Sequence, residues 1–209
     1  MKSLKVGAAI AVALSVALGL MSGARAADAP GAQYVGNTTC KVCHNTPDTG
    51  EQWNKWKAVK HATALEALKS DAALKIAKDK GLTVPPSEAP ECLKCHVTGY
   101  DPATKKAPAK IKLDDGVQCE SCHGPASLHV KDGQFLKFNP DKASTIDIKA
   151  HQPPVTEDAC KKCHNEESPT WNPEKYTKAD GTKAGFDFEE AKKIIAHPNP
   201  KKAAEAGKS

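Results

Sequence analysis

Aromatic residues are scarce in this chain, with three Trp, three Tyr and four Phe among 209 residues. So few large rings cannot furnish a sizeable conventional core for a domain of this length. Methionine is scarcer still. Met1 and Met21 are its two copies, and both fall in an N-terminal stretch with the character of a leader. Methionine sulfur is therefore not expected as a metal ligand in the remainder. Beyond that stretch no apolar run is long enough to span a bilayer. Cysteine is absent outside four short, identical patterns, which argues against a scattered disulfide framework.

The leader reads as follows. Met1 to Lys5 is basic, Val6 to Met21 is apolar and rich in Ala, Val and Leu, and Ala24-Arg25-Ala26 is an A-x-A cleavage signal. This is the pattern of a secretory signal peptide over 1–26. A membrane anchor is the alternative, but the run is short, Ala/Gly-rich and followed by a good cleavage site. No cysteine lies near that site, so lipid attachment is not indicated. Removal leaves 27–209 as one domain of 183 residues. The formal charge of +5 falls to about +2 once Lys2, Lys5 and Arg25 are gone. No strongly basic face remains, and nucleic-acid binding is not expected.

What the chain does have is eight cysteines in four copies of Cys-x-x-Cys-His. They are Cys40 and Cys43 with His44, Cys92 and Cys95 with His96, Cys119 and Cys122 with His123, and Cys160 and Cys163 with His164. This is the attachment pattern of c-type haem. The two thiols add to the porphyrin vinyl groups, and the adjacent imidazole reaches the iron from the proximal side. At ordinary composition one chance match is expected in about 10⁵ positions. Zinc sites also use Cys-x-x-Cys pairs, but zinc does not require a histidine after every second cysteine. A thioredoxin-like motif would occur once, beside a βαβ pattern. Four covalently attached haem c groups are the expectation. Their eight propionates and four ferric centres bring the oxidised protein to roughly −2.

The second axial position largely sets potential and reactivity. Four histidines remain outside the motifs, His61, His129, His151 and His197, one for each haem. With no methionine left, mainly bis-histidine, low-potential haems follow. Trp53, Trp56, Val59, Leu65, Leu68, Ala72 and Ile76 recur at helical spacing, so 53–81 is predicted as one long helix carrying His61, with Gly81 as C-cap. A second helix is predicted over 186–198, capped by Asp187 and ended by Pro198, with Ile194 and His197 on one face. His129 follows a Gly124-Pro125 break just after His123, so it reaches a different haem more easily than its neighbour's. Gly81 to Pro90 reads as a linker and Tyr100 to Gly116 as a loose hairpin or loop. Asn165 to Gly185 reads as an extended loop with Trp171 and Tyr176 on haem edges. The tail after 198 reads as disordered.

The segments YVGNTTCKVCH at 34–44, KHATAL at 60–65, ECLKCHVTGY at 91–100, GVQCESCHGPASLH at 116–129 and AHP at 196–198 resemble the cytochrome c-554 family of tetrahaem cytochromes. The resemblance implies a mostly α fold with little β, its helices and long loops wrapped around closely packed haems. It further implies that His129 serves the first haem, His61 the third and His197 the fourth. In the family's namesake the second haem, here that of His96, lacks a protein ligand on its far side. This sequence departs by offering His151, which could close that haem, serve a neighbouring subunit or do nothing.

An exported, periplasmic or extracellular electron-transfer relay is the leading functional expectation, with other redox proteins as partners. A five-coordinate iron at His96 would instead allow reduction of nitric oxide, nitrite or hydroxylamine. No separate acid–base constellation supports a primary enzymatic role. A protomer of a homo-oligomer or extracellular filament is the third reading.

Overall fold

The computed structural model describes residues 30–148, 150–152, 154–198 and 200. The expected signal peptide and nearly all of the expected tail lie outside them. The chain runs through α1 (Asn37–His44), a 3₁₀ turn at Pro47–Thr49, α2 (Gln52–Lys57), a second turn at Lys60–Thr63, α3 (Ala64–Ala67), α4 (Asp71–Asp79) and α5 (Pro90–His96). A turn at Leu113–Asp115 leads to α6 (Cys119–His123) and α7 (Ser127–Phe138). A last turn at Pro140–Thr145 precedes α8 (Glu157–Lys161), strands β1 (Tyr176–Thr177) and β2 (Lys183–Ala184), and α9 (Phe188–Ile195). The strands form one small antiparallel pair, Tyr176 opposite Ala184. The fold is thus helical with minimal strand, as expected.

The long helix predicted over 53–81 is not continuous. Val59 is extended, and the His61 carbonyl accepts both the Ala64 N–H of a 3₁₀ turn and the distant Val117 N–H, the latter at 2.9 Å. Ser70 is extended as well, and its hydroxyl accepts the Ala73 N–H to start α4 afresh. The apolar spacing persisted across these breaks because each short piece buries the same side. The predicted stop does hold. Gly81 sits at φ +69°, its N–H reaches the Lys78 carbonyl, and the Leu82 N–H reaches Ala77, a Schellman ending. In α9, Asp187 accepts the Glu190 N–H at 3.0 Å as the start signal required. The helix ends at Ile195, with Ala196 extended, so His197 lies beyond it and does not share a helical face with Ile194. The loop over 165–185 contains the small hairpin rather than being wholly irregular.

The apolar core is small. Leu65, Leu68, Leu93, Val97 and Ile111 cluster, with Tyr34 and Tyr100 packed against them. The largest fully buried side chains are polar: Gln118, Glu120, Asn37 and Thr98. They form a knot around the start of α6. Gln118 accepts the Asn37 N–H and donates to the Lys112 carbonyl. Its own N–H donates to Thr98 Oγ1 at 2.6 Å, and that hydroxyl also meets Ser121 Oγ at 2.8 Å. Glu120 accepts the N–H groups of Val35, Gly36 and Ala126. Buried polar groups of this kind hold position when satisfied, as Thr98, Gln118 and Glu120 are, while Asn37 joins through its backbone N–H and its side-chain Nδ2 has no partner among the described residues. Here they fix α1, the segment after α5, and α6 to one another.

Candidate functional site

Each Cys-x-x-Cys-His motif sits on or at the end of a short helix. One helical turn separates the cysteines, so both thiols and the following imidazole address one side. α1, α5 and α6 carry the first three motifs, and α8 runs into the fourth. The cysteines define the order in which the motifs neighbour one another. Cys40 and Cys119 share a thiol hydrogen bond, which with burial drives Cys40 strongly upward. Cys95 and Cys163 do the same, with Cys163 driven upward by that bond and by burial. α6 packs on α8, and burial followed by the charge of Cys160 pushes Cys122 up to about 11. The motifs therefore form a row: first, third, fourth, second. Lys94 on α5 and Glu167, just past the fourth motif, add an exposed ion pair at its end.

The histidines are arranged in pairs. The rings of His44 and His129 have centroids 6.2 Å apart and planes 19° apart. His61 and His164 stand 6.0 Å apart at 71°, and His123 and His197 stand 6.0 Å apart at 67°. A metal–imidazole bond is about 2.0 Å and the ring centre lies about 1.1 Å behind the bonded nitrogen, so two imidazoles on opposite sides of one ion are centred roughly 6 Å apart. Among the described residues no group of three or more His, Cys, Asp or Glu converges on one point. Opposed pairs suit a planar metal complex with two axial positions. Gathered sets would have suited tetrahedral zinc.

Two of these pairs differ from what the resemblance implied. His61 faces His164 rather than His123, and His197 faces His123 rather than His164. Sequence order does not carry this, because α6 and α8 are packed neighbours and either partner is within reach of each loop. His129 lies opposite His44, across the row from the adjacent His123.

Several groups complete the fit to haem. The Nδ1 atoms of His96 and His197 donate to the carbonyls of Ala64 at 2.7 Å and Ile195 at 2.8 Å. That leaves Nε2 as the nitrogen available to a metal, the usual arrangement where histidine binds one. His123 Nδ1 is buried with no hydrogen-bond partner. Burial pushes His123 down to about 4, helped by His197, His129 and His44. Burial also lowers His61, and it lowers His164 with help from His61 and Lys175. These imidazoles are thus held neutral with a lone pair to offer, as a metal requires.

His96 and His151 are not brought together. No ring among the described residues faces His96. His151 instead binds Asp132 on α7 through Nδ1 at 2.7 Å, and its neighbour Gln152 donates to the His123 carbonyl at 2.8 Å. His129 Nδ1 on α7 also meets the Ile148 carbonyl. Trp171 lies against Gly185, and Phe186 stacks on His164 with centroids 5.3 Å apart. The residues missed from sequence are Asn37, Thr98, Gln118, Glu120 and Asp132. Most sit inside the segments that carried the resemblance, but as ordinary polar letters with no periodicity to mark burial.

The family described as cytochrome c554 and c-prime matches residues 39–124, which contain the first three motifs. Cytochrome c-554 of Nitrosomonas europaea is 33% identical over 187 residues, covering 81% of this chain and 75% of that protein. The structure of reduced cytochrome c554 from Nitrosomonas europaea covers 78% of both chains at 26% identity, with a TM-score of 0.48. The chain belongs to the cytochrome c554 family, a haem-bearing c-type cytochrome whose work is electron transfer.

Proposed function

We propose that this chain is an exported four-haem relay in which three irons are closed by paired histidines and one is open on its far side. Each pair of motif cysteines holds one haem, and the adjacent histidine takes the proximal position. His129 closes the site of His44, His61 that of His164, and His197 that of His123. The site of His96 has no such partner, and His151 is left to its bond with Asp132. Haem iron supplies the chemistry, accepting and releasing one electron at a time. The chain contributes spacing, orientation and ligand field. It would hold the four sites in a row whose ends are the first and second motifs.

The observation that carries this reading is the set of three imidazole pairs at 6.0–6.2 Å between centroids. Paired imidazoles and the lack of methionine favour low potentials. The leader pattern and the extracytoplasmic chemistry of haem attachment support a periplasmic or extracellular location, where other redox proteins are the partners. The absence of a ring facing His96 favours a secondary capacity to bind a small diatomic ligand there. Intact-mass measurement with a pyridine haemochrome assay tests the count. Four haems per cleaved chain are expected, and three or fewer would overturn the proposal.

A further inference from the structure

We infer that Glu120 is a permanently buried negative charge that lowers the reduction potentials of the haems on the first and third motifs. The inference rests on the haem assignment above. Glu120 lies between Cys119 and Cys122 on α6 and is 2% exposed. Glutamate is almost never so buried without a cationic partner. None of its contacts is a lysine or arginine. Oε1 accepts the N–H of Val35 at 2.9 Å and of Ala126 at 2.9 Å, and Oε2 accepts the N–H of Gly36 at 2.8 Å. Every partner is a donor, so the carboxyl group has no acceptor for a proton of its own, and the ionised form fits the cradle. Backbone dipoles solvate that charge without cancelling it.

The placement decides which irons feel it. The carboxylate is on the third motif's helix, and it grips the two residues that immediately precede α1, which bears the first motif. The second and fourth motifs lie further along the row. The field extends to the nearest cysteine of each of these two motifs. Glu120 adds to the rise of Cys40 after the Cys119 bond, burial and the Cys119 charge, and it opposes the lowering of Cys119 by Cys40. Adding an electron to a nearby iron works against the same field. Inside the protein, where neither water nor salt screens well, one charge has a long reach. The family resemblance marks this position only as a letter in a motif. The structure gives it a function beyond anchoring.

The test is potentiometric titration of the haem-loaded protein with Glu120→Gln and Glu120→Asp. Glu120→Gln removes the charge and keeps the shape. It should favour reduction at two of the four haems by about tenfold, roughly 59 mV for a one-electron couple. The other two should move much less. Glu120→Asp keeps the charge and disturbs the cradle, so it should cost stability while leaving the potentials near those of the native protein. Equal shifts in both variants, a uniform shift of all four haems, or no shift in Glu120→Gln would overturn the inference. Haem count on the same samples separates its failure from failure of the four-haem reading. If neither variant folds, redox-difference infrared spectra of native protein decide. With the haem propionates shifted away by 13C labelling, a protonated, buried carboxyl stretch at neutral pH would overturn the inference, and carboxylate bands alone would support it, since Glu120 is the buried glutamate among the described residues.

Discussion

The ring of His61 meets that of His164 edge to face, 6.0 Å between centroids and 71° between planes. His123 and His197 cross at a similar 67°, whereas His44 and His129 are within 19° of parallel. Axial planes that cross leave two iron d orbitals nearly equal in energy, and planes that align separate them. Oxidised protein should therefore show one rhombic low-spin EPR signal and two low-spin signals with a large maximum g value. His129→Ala should remove the rhombic signal. His61→Ala and His197→Ala should each remove one large-g signal. Loss of the rhombic signal in His61→Ala would contradict the pairing.

The site of His96 should behave differently from the other three. Its imidazole is oriented by the Ala64 carbonyl, and no second ring among the described residues opposes it. Reduced protein should bind one carbon monoxide per chain, read as a Soret shift titrating to that stoichiometry. His151→Ala should leave both the stoichiometry and the high-spin EPR component unchanged. It should lower stability by about 0.5–1.5 kcal/mol, the worth of one part-exposed hydrogen bond to Asp132. No carbon monoxide binding in the native protein, with one equivalent gained in His151→Ala, would make His151 the ligand of that site after all.

The polar knot makes a stability prediction. Thr98 Oγ1 is the acceptor for the Gln118 N–H at 2.6 Å, in a site with no water access. Thr98→Val keeps the shape and leaves that N–H unpaired, which costs about 1–3 kcal/mol. Guanidinium unfolding should show the loss with the haem count intact. An unchanged midpoint would mean that the knot has an alternative acceptor.

Legibility in the sequence followed the physics of each feature. The haem motifs are covalent chemistry at fixed spacing, so they read directly, as did the Gly81 and Asp187 helix signals, which are local. The break at Val59 was hidden because its setting is distant in sequence: the His61 carbonyl of the 3₁₀ turn that follows is shared between the Ala64 N–H and the Val117 N–H. The partners of His61 and His197 were hidden for a related reason, since pairing depends on how α6 and α8 pack and each loop is long enough to reach either. Glu120 could not be told from the surface glutamates Glu157 and Glu189, because the donors that hold it come from residues 35, 36 and 126.

Gly185 permits the close approach that seats Phe186 beside His164. A Cβ at this position would lie 2.0 Å from a Trp171 ring carbon, so the indole or the backbone must move. Gly185→Ala should cost about 1–3 kcal/mol, the range for overpacking. Because Phe186 stacks on His164, the same variant should also shift one large-g EPR signal. Destabilisation with that signal unmoved would show that the Phe186 stack does not orient the histidine.

Haem removal should abolish the fold rather than loosen it. The longest helix is α7, at 12 residues, and helices of that length are marginal on their own in water. The buried apolar side chains are Leu65, Leu68, Leu93, Val97, Ile111, Phe186 and three alanines, too few to offset the ordering of so long a chain. Meanwhile Phe135, Phe138 and Ile194 are exposed apolar surface, of the kind a broad porphyrin plate covers. A chain with all eight cysteines replaced by serine should thus lack near-ultraviolet circular dichroism and melt without a cooperative transition. A sigmoidal melt in that variant would mean that the small cluster around Leu65 and the knot around Gln118 suffice, and that the porphyrins occupy a preformed scaffold instead of building one.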